Sequence, residues 1–133
     1  MANNINVTLD TSVTPNVLKV HDHGHIHVDK KPTAQTISWN LTGNLAQGAF
    51  VPMNASEPGF EWVSDPPPAD AIFGTPQVCS NGNSLQLVDN HATSGSDGTW
   101  IYRLRVLLGE TVYQTTAGTG ITTTSHNPVI INR

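Results

Sequence analysis

The sequence predicts an all-β fold, a two-sheet antiparallel sandwich, and a few observations carry that prediction. Apolar and polar residues alternate with period 2 along several segments, helical periodicity is nearly absent, and turns rich in Gly, Asn and Pro separate the segments. At 133 residues the chain is long enough to bury one continuous core and too short for two, so one domain over residues 1–133 is expected.

The clearest strand covers 99–108. Trp100, Tyr102, Leu104, Val106 and Leu108 fall on one face, and Thr99, Ile101, Arg103, Arg105 and Leu107 on the other. The first face reads as core and the second, with its two arginines, as the outer face. Gly109-Glu110 suits a type II′ hairpin turn, after which 111–116 returns as a strand. Residues 35–42 alternate in the same way, with Ile37, Trp39 and Leu41 inward. Together Ile37, Trp39, Leu41, Trp100, Tyr102, Leu104 and Val106 are expected to share the core. Weaker strands are read at 5–10, 17–20, 25–28, near Phe50, and at 60–63, 85–89 and 129–132. The helical candidate is 69–73, a single turn after Pro66-Pro67-Pro68, read as a loop decoration. Residues 51–74 form the longest irregular stretch, and long loops in compact domains often carry function.

Composition excludes some partners. Six Lys and Arg stand against ten Asp and Glu, a net charge of -4, so no basic stripe is available to neutralise nucleic acid. Charged residues make up only 12% of the chain, and Thr, Ser, Asn and Gly take their place, as suits the solvent face of antiparallel sheets. No apolar stretch approaches the ~20 residues of a membrane span, and MANNINVTLD has neither a cationic head nor an apolar run. A cytoplasmic protein with no membrane partner is expected. The single cysteine, Cys79, allows no internal disulfide, in keeping with that compartment. Sequons at Asn6, Asn40 and Asn54 would matter only in a secretory pathway.

Ser96-Asp97-Gly98-Thr99-Trp100-Ile101-Tyr102 resembles the entry to strand F of immunoglobulin-like domains, with Trp100 in the aromatic corner place and Tyr102 where those domains carry a cysteine. The resemblance implies an immunoglobulin-like sandwich without the disulfide. Through Glu57-Pro58, Asp65-Pro66 and the closing Asn127-Pro128-Val129-Ile130-Ile131-Asn132, the chain also resembles the DP-EP family of small bacterial proteins. That resemblance implies a compact β fold and brings no activity with it.

The most chemically pointed motif is His21-Asp22-His23-Gly24-His25-Ile26-His27. On an extended strand His21, His23, His25 and His27 leave one face, and an i, i+2 pair can chelate Zn, Ni or Cu, with Asp22 or Asp29 adding oxygen if the backbone turns them that way. The alternative is a hairpin turn at Asp22-His23-Gly24 joining 17–20 to 25–28, with Leu18, Val20, Ile26 and Val28 inward and the histidines as surface decoration. His91 and His126 read as isolated loop residues. Glu57, Glu61, Asp65 and Asp70 form an acidic loop, and Trp62 beside Glu61, Asp65 and Asn54 could stack on a sugar ring, although filling the space beneath the proline loop is the simpler role. Cys79 has no histidine base beside it and reads as a structural thiol.

These residues assemble into no catalytic constellation, and the chain is read as a non-catalytic binding domain, not an enzyme, with no obligatory cofactor. Its partner is another protein or a second copy of itself, because the strands at 111–116 and 129–132 carry no charge and read as unprotected edges that invite a homo-oligomer. A metal-binding protein and a carbohydrate-binding module are the alternatives.

Overall fold

The computed structural model describes residues 3–12, 16–20, 25–64, 66–115 and 128–133. Among them the strands in chain order are β1 (Asn3–Asp10), β2 (Val17–Val20), β3 (His25–Val28), β4 (Gln35–Leu41), β5 (Ala49–Phe50), β6 (Phe60–Trp62), β7 (Gln77–Cys79), β8 (Ser84–Asp89), β9 (Gly98–Leu108), β10 (Thr111–Gln114) and β11 (Val129–Asn132). They form two sheets of a β-sandwich. The first runs β2-β1-β4-β8-β7, and the second runs β10-β9-β11-β3 with β5 and β6 also on β9.

Strand β9 organises the second sheet. Its first half pairs with β11 from Gly98 to Ile101, and its second half pairs with β10 from Arg105 to Leu108. Backbone bonds from Val51 to the Arg105 carbonyl and from Val63 to the Ile101 carbonyl hold β5 and β6 along its other side. The β9/β10 turn forms where expected, with Gly109 at φ 64, a conformation that an L side chain rarely adopts.

The period-2 reading of the core holds. Ile37, Trp39, Tyr102, Leu104 and Val106 are fully buried and Leu41 nearly so, while Trp100 is half-buried against Phe73. Trp39 Nε1 donates to the Tyr102 hydroxyl at 3.1 Å across the two sheets. Phe60 stacks on Tyr102 with centroids 5.3 Å apart. Burial raises the Tyr102 hydroxyl above the usual phenol range, with the Trp39 bond opposing more weakly.

Several expectations are corrected. Both sheets are mixed: β1 lies parallel to β4, and β3 lies parallel to β11. The 17–20 and 25–28 strands are not a hairpin, because β2 pairs with β1 in one sheet and β3 with β11 in the other. Leu18, Val20, Ile26 and Val28 are nevertheless buried, since each strand turns its apolar side to the same core. The 129–132 strand is not an edge, because β9 and β3 flank it. The arginine face of β9 is not exposed: Arg105 is buried and Arg103 mostly so, under β6 and its approach. The 69–73 turn is more than decoration, since Ile72 and Phe73 enter the core and Phe73 bridges to Asp89. Strand β7 was not foreseen.

Gly82 marks a close approach between the two sheets. Its φ is 94, and a Cβ there would meet the Ala49 Cβ at 2.6 Å. Gly82→Ala is therefore expected to cost roughly 2 kcal/mol through backbone strain and overpacking, read as a lower urea midpoint with unchanged slope.

Candidate functional site

An apolar groove lies between the β9/β10 end of the second sheet and β7 of the first. Ala49 pairs with Leu107, and Leu107 pairs in turn with Val112, so the three residues form a row across β5, β9 and β10. Leu107 is 41% exposed and Val112 50% exposed, with Val88 the other large apolar residue in that class among the described residues. Ala49, Leu107 and Val112 line a groove of ≈ 790 Å³ with Phe50, Pro76 and Val78. Among the described residues no Asp, Glu, Lys or Arg lines it. Isolated apolar residues on a surface are ordinary; these three are adjacent and share a groove, which makes it the candidate contact site. The strands bordering it, β7 and β10, each have one hydrogen-bonded neighbour among the described residues and carry no charged side chain.

The residues singled out from the sequence are distributed elsewhere. His21 and His23, with Asp22, lie outside the described residues, as do Asp65 and His126. His25 and His27 lie on β3, opposite Val129 and Ile131 of β11, and His27 is exposed. Among the described residues no three His, Cys, Asp or Glu side chains gather as a metal site. Asp29 is engaged by Arg133 Nε at 2.9 Å.

Trp62 is half-buried in an aromatic chain, 4.9 Å from Phe60 and 4.8 Å from Phe73 between ring centroids. It fills the space between β6 and the 69–73 turn. Glu61 lies on the arginine face of the sheet, with Oε1 accepting from Arg105 Nη2 at 3.0 Å. Glu57 and Asp70 are exposed, so the acidic loop does not converge among its described members. Cys79 is half-buried, its Sγ 3.7 Å from the Gln77 carbonyl.

His91 departs most from its expected place. It is fully buried, with Nδ1 2.7 Å from Ser96 Oγ and Nε2 3.0 Å from the Arg133 carbonyl oxygen. The Ser96 hydroxyl also reaches the Thr93 carbonyl at 2.9 Å. The side chain thus closes one end of the sandwich, tying the segment after β8 to the segment after β11. No spacing in the sequence marks it, because its partners come from a turn and from the other sheet.

No protein-family model matches the chain, and no curated protein matches its sequence. Among the described residues no helix is long and apolar enough to cross a membrane.

Proposed function

We propose that the chain is a non-catalytic interaction domain that self-associates through the groove beside β10. The observation that carries this reading is the uncharged apolar row Ala49, Leu107 and Val112, bordered by strand edges without a charged residue. An extended strand laid against such an edge gains main-chain hydrogen bonds and buries alternate side chains in the groove. The β10 edge of a second copy is such a strand, and pairing about a two-fold axis closes the assembly. The non-catalytic part of the reading is supported by where the polar groups are spent. Glu61 is bound by Arg105, Asp97 by Lys30, Asp29 by Arg133, and His91 by Ser96 and Arg133.

Light scattering at micromolar concentration is expected to give at least twice the mass of the chain. Val112→Lys, on an exposed position, is expected to return the mass to that of a folded monomer whose thermal midpoint no longer depends on protein concentration. Gln114→Lys is not a clean test of the same edge, because Gln114 Oε1 accepts from the buried Arg105 guanidinium. A lysine at Ile130 is no test of assembly, because that side chain is fully buried. A wild-type monomer at millimolar concentration, or a dimer indifferent to Val112→Lys, would remove the groove as the interface.

A further inference from the structure

One end of the core is polar. In β8 the inward positions run Leu85, Leu87 and then Asp89, and Asp89 is fully buried. Its cross-strand neighbour Gln35 is buried and donates to the Asp29 carbonyl. From the opposite sheet β11 brings Ile130 and then Asn132, also buried. Asn132 Nδ2 donates to Asp89 Oδ1 at 3.1 Å and to the Ser96 carbonyl at 3.0 Å. This bond joins the two sheets.

Two atoms of the pair are buried without a hydrogen-bond partner among the described residues, Asp89 Oδ2 and Asn132 Oδ1. Both are oxygens. Turning the Asn132 amide over does not help, since its oxygen would then face the Asp89 carboxyl and the Ser96 carbonyl, two acceptors. The amide orientation is therefore set, and what the pair lacks is a hydrogen. A single proton on Asp89 Oδ2 supplies it, because the acid hydroxyl becomes a donor and Asn132 Oδ1 is the unengaged acceptor on the amide already bound to Oδ1. One proton satisfies both buried oxygens and removes a buried charge.

We propose that Asp89 and Asn132 form a proton-operated clasp between the two sheets, closed when Asp89 Oδ2 is protonated and donates to Asn132 Oδ1. Burial moves the Asp89 carboxyl in the direction this requires, from 3.8 up to about 6, against the smaller opposing influences of the Asn132 bond and His91. The charged and titratable groups around it are His91 after β8, Asp97 before β9 with its carboxylate 3.5 Å from His91 Nε2, Lys30 and Asp29 after β3, and Arg133 after β11. Lys30 and Arg133 are paired with Asp97 and Asp29, so His91 is the group whose charge acts on Asp89 directly.

The sign follows from proton uptake. With the folded value above the unfolded one, the folded state holds more protons between pH 3.8 and about 6. The stability due to this group is full below that window, falls as pH rises through it, and is gone above it. Over those roughly two units the contribution to the folding equilibrium constant falls roughly a hundredfold.

The test compares the wild type with Asp89→Asn, whose amide donates to Asn132 Oδ1 at every pH. Urea midpoints are measured from pH 4.5 to 8, and the Asp89 carboxyl carbon is followed by NMR in the wild type. The remaining acids are common to both proteins and cancel in the difference, whereas His91 is coupled to Asp89 and is followed separately by its ring resonances in both proteins. The expected result is a wild-type midpoint that falls relative to Asp89→Asn as pH rises through about 6, with the variant the more stable at pH 8 and the carboxyl carbon titrating in the same window. If Asp89→Asn does not fold, the wild-type carbon titration decides alone. A carboxyl that ionises in the ordinary range, or a variant equally destabilised at every pH, overturns the clasp and leaves a bound water or cation between the two oxygens.

Discussion

Tyr102→Ala is expected to lower stability by about 4 kcal/mol, a large share of the margin of a small domain. The side chain is fully buried at the middle of β9, stacked on Phe60 and edge-on to Trp39, whose centroid is 5.3 Å away. Its removal opens a cavity between the sheets and also strips Trp39 Nε1 of its acceptor. Tyr102→Phe separates the two effects. It keeps the ring and leaves only a buried indole N–H unpaired, a loss of roughly 1–3 kcal/mol. Urea unfolding followed by tryptophan fluorescence measures both, and a Phe variant as unstable as the Ala variant would show that the hydroxyl, not the packing, holds the sheets together.

The second large effect is expected at Glu61. Arg105 is buried on β9 and its guanidinium meets Gln114 Oε1, the Pro58 carbonyl and Glu61 Oε1. Glu61→Ala leaves a buried cation without its anion, and the cost is expected at about 2 kcal/mol, less than for a fully buried pair because Glu61 is 41% exposed. Arg105→Met in the Glu61→Ala background is expected to recover part of that loss by removing the stranded charge. Urea midpoints of the two singles and the double give the coupling directly. Additive losses would mean that Glu61 acts only through its own packing.

The structure also explains why some sites were legible in the sequence and others were not. Trp39 and Tyr102 announce themselves by alternation, because a strand half-buried in a sandwich must place every second side chain inward. The acidic loop is a candidate on composition, yet Glu61 belongs to an arginine on β9, more than forty residues along the chain. The groove row of Ala49, Leu107 and Val112 is invisible to local patterning, since cross-strand neighbours are set by register and by which strands meet. Asp89 and His91 sit in ordinary polar contexts in the sequence, and only the approach of Asn132 and Arg133 from the other sheet makes them a buried cluster.

By itself the sequence determined the fold class, the positions of most strands, the turn at Gly109 and the inward face of β4 and β9. All of these depend on period, turn chemistry and side-chain size within a few residues. Tertiary structure alone decided that β2 and β3 part into different sheets, that β11 is covered by a parallel β3, and that Arg105 and Asp89 are buried. Those outcomes rest on pairing between distant segments, which period 2 constrains only to a face and never to a neighbour.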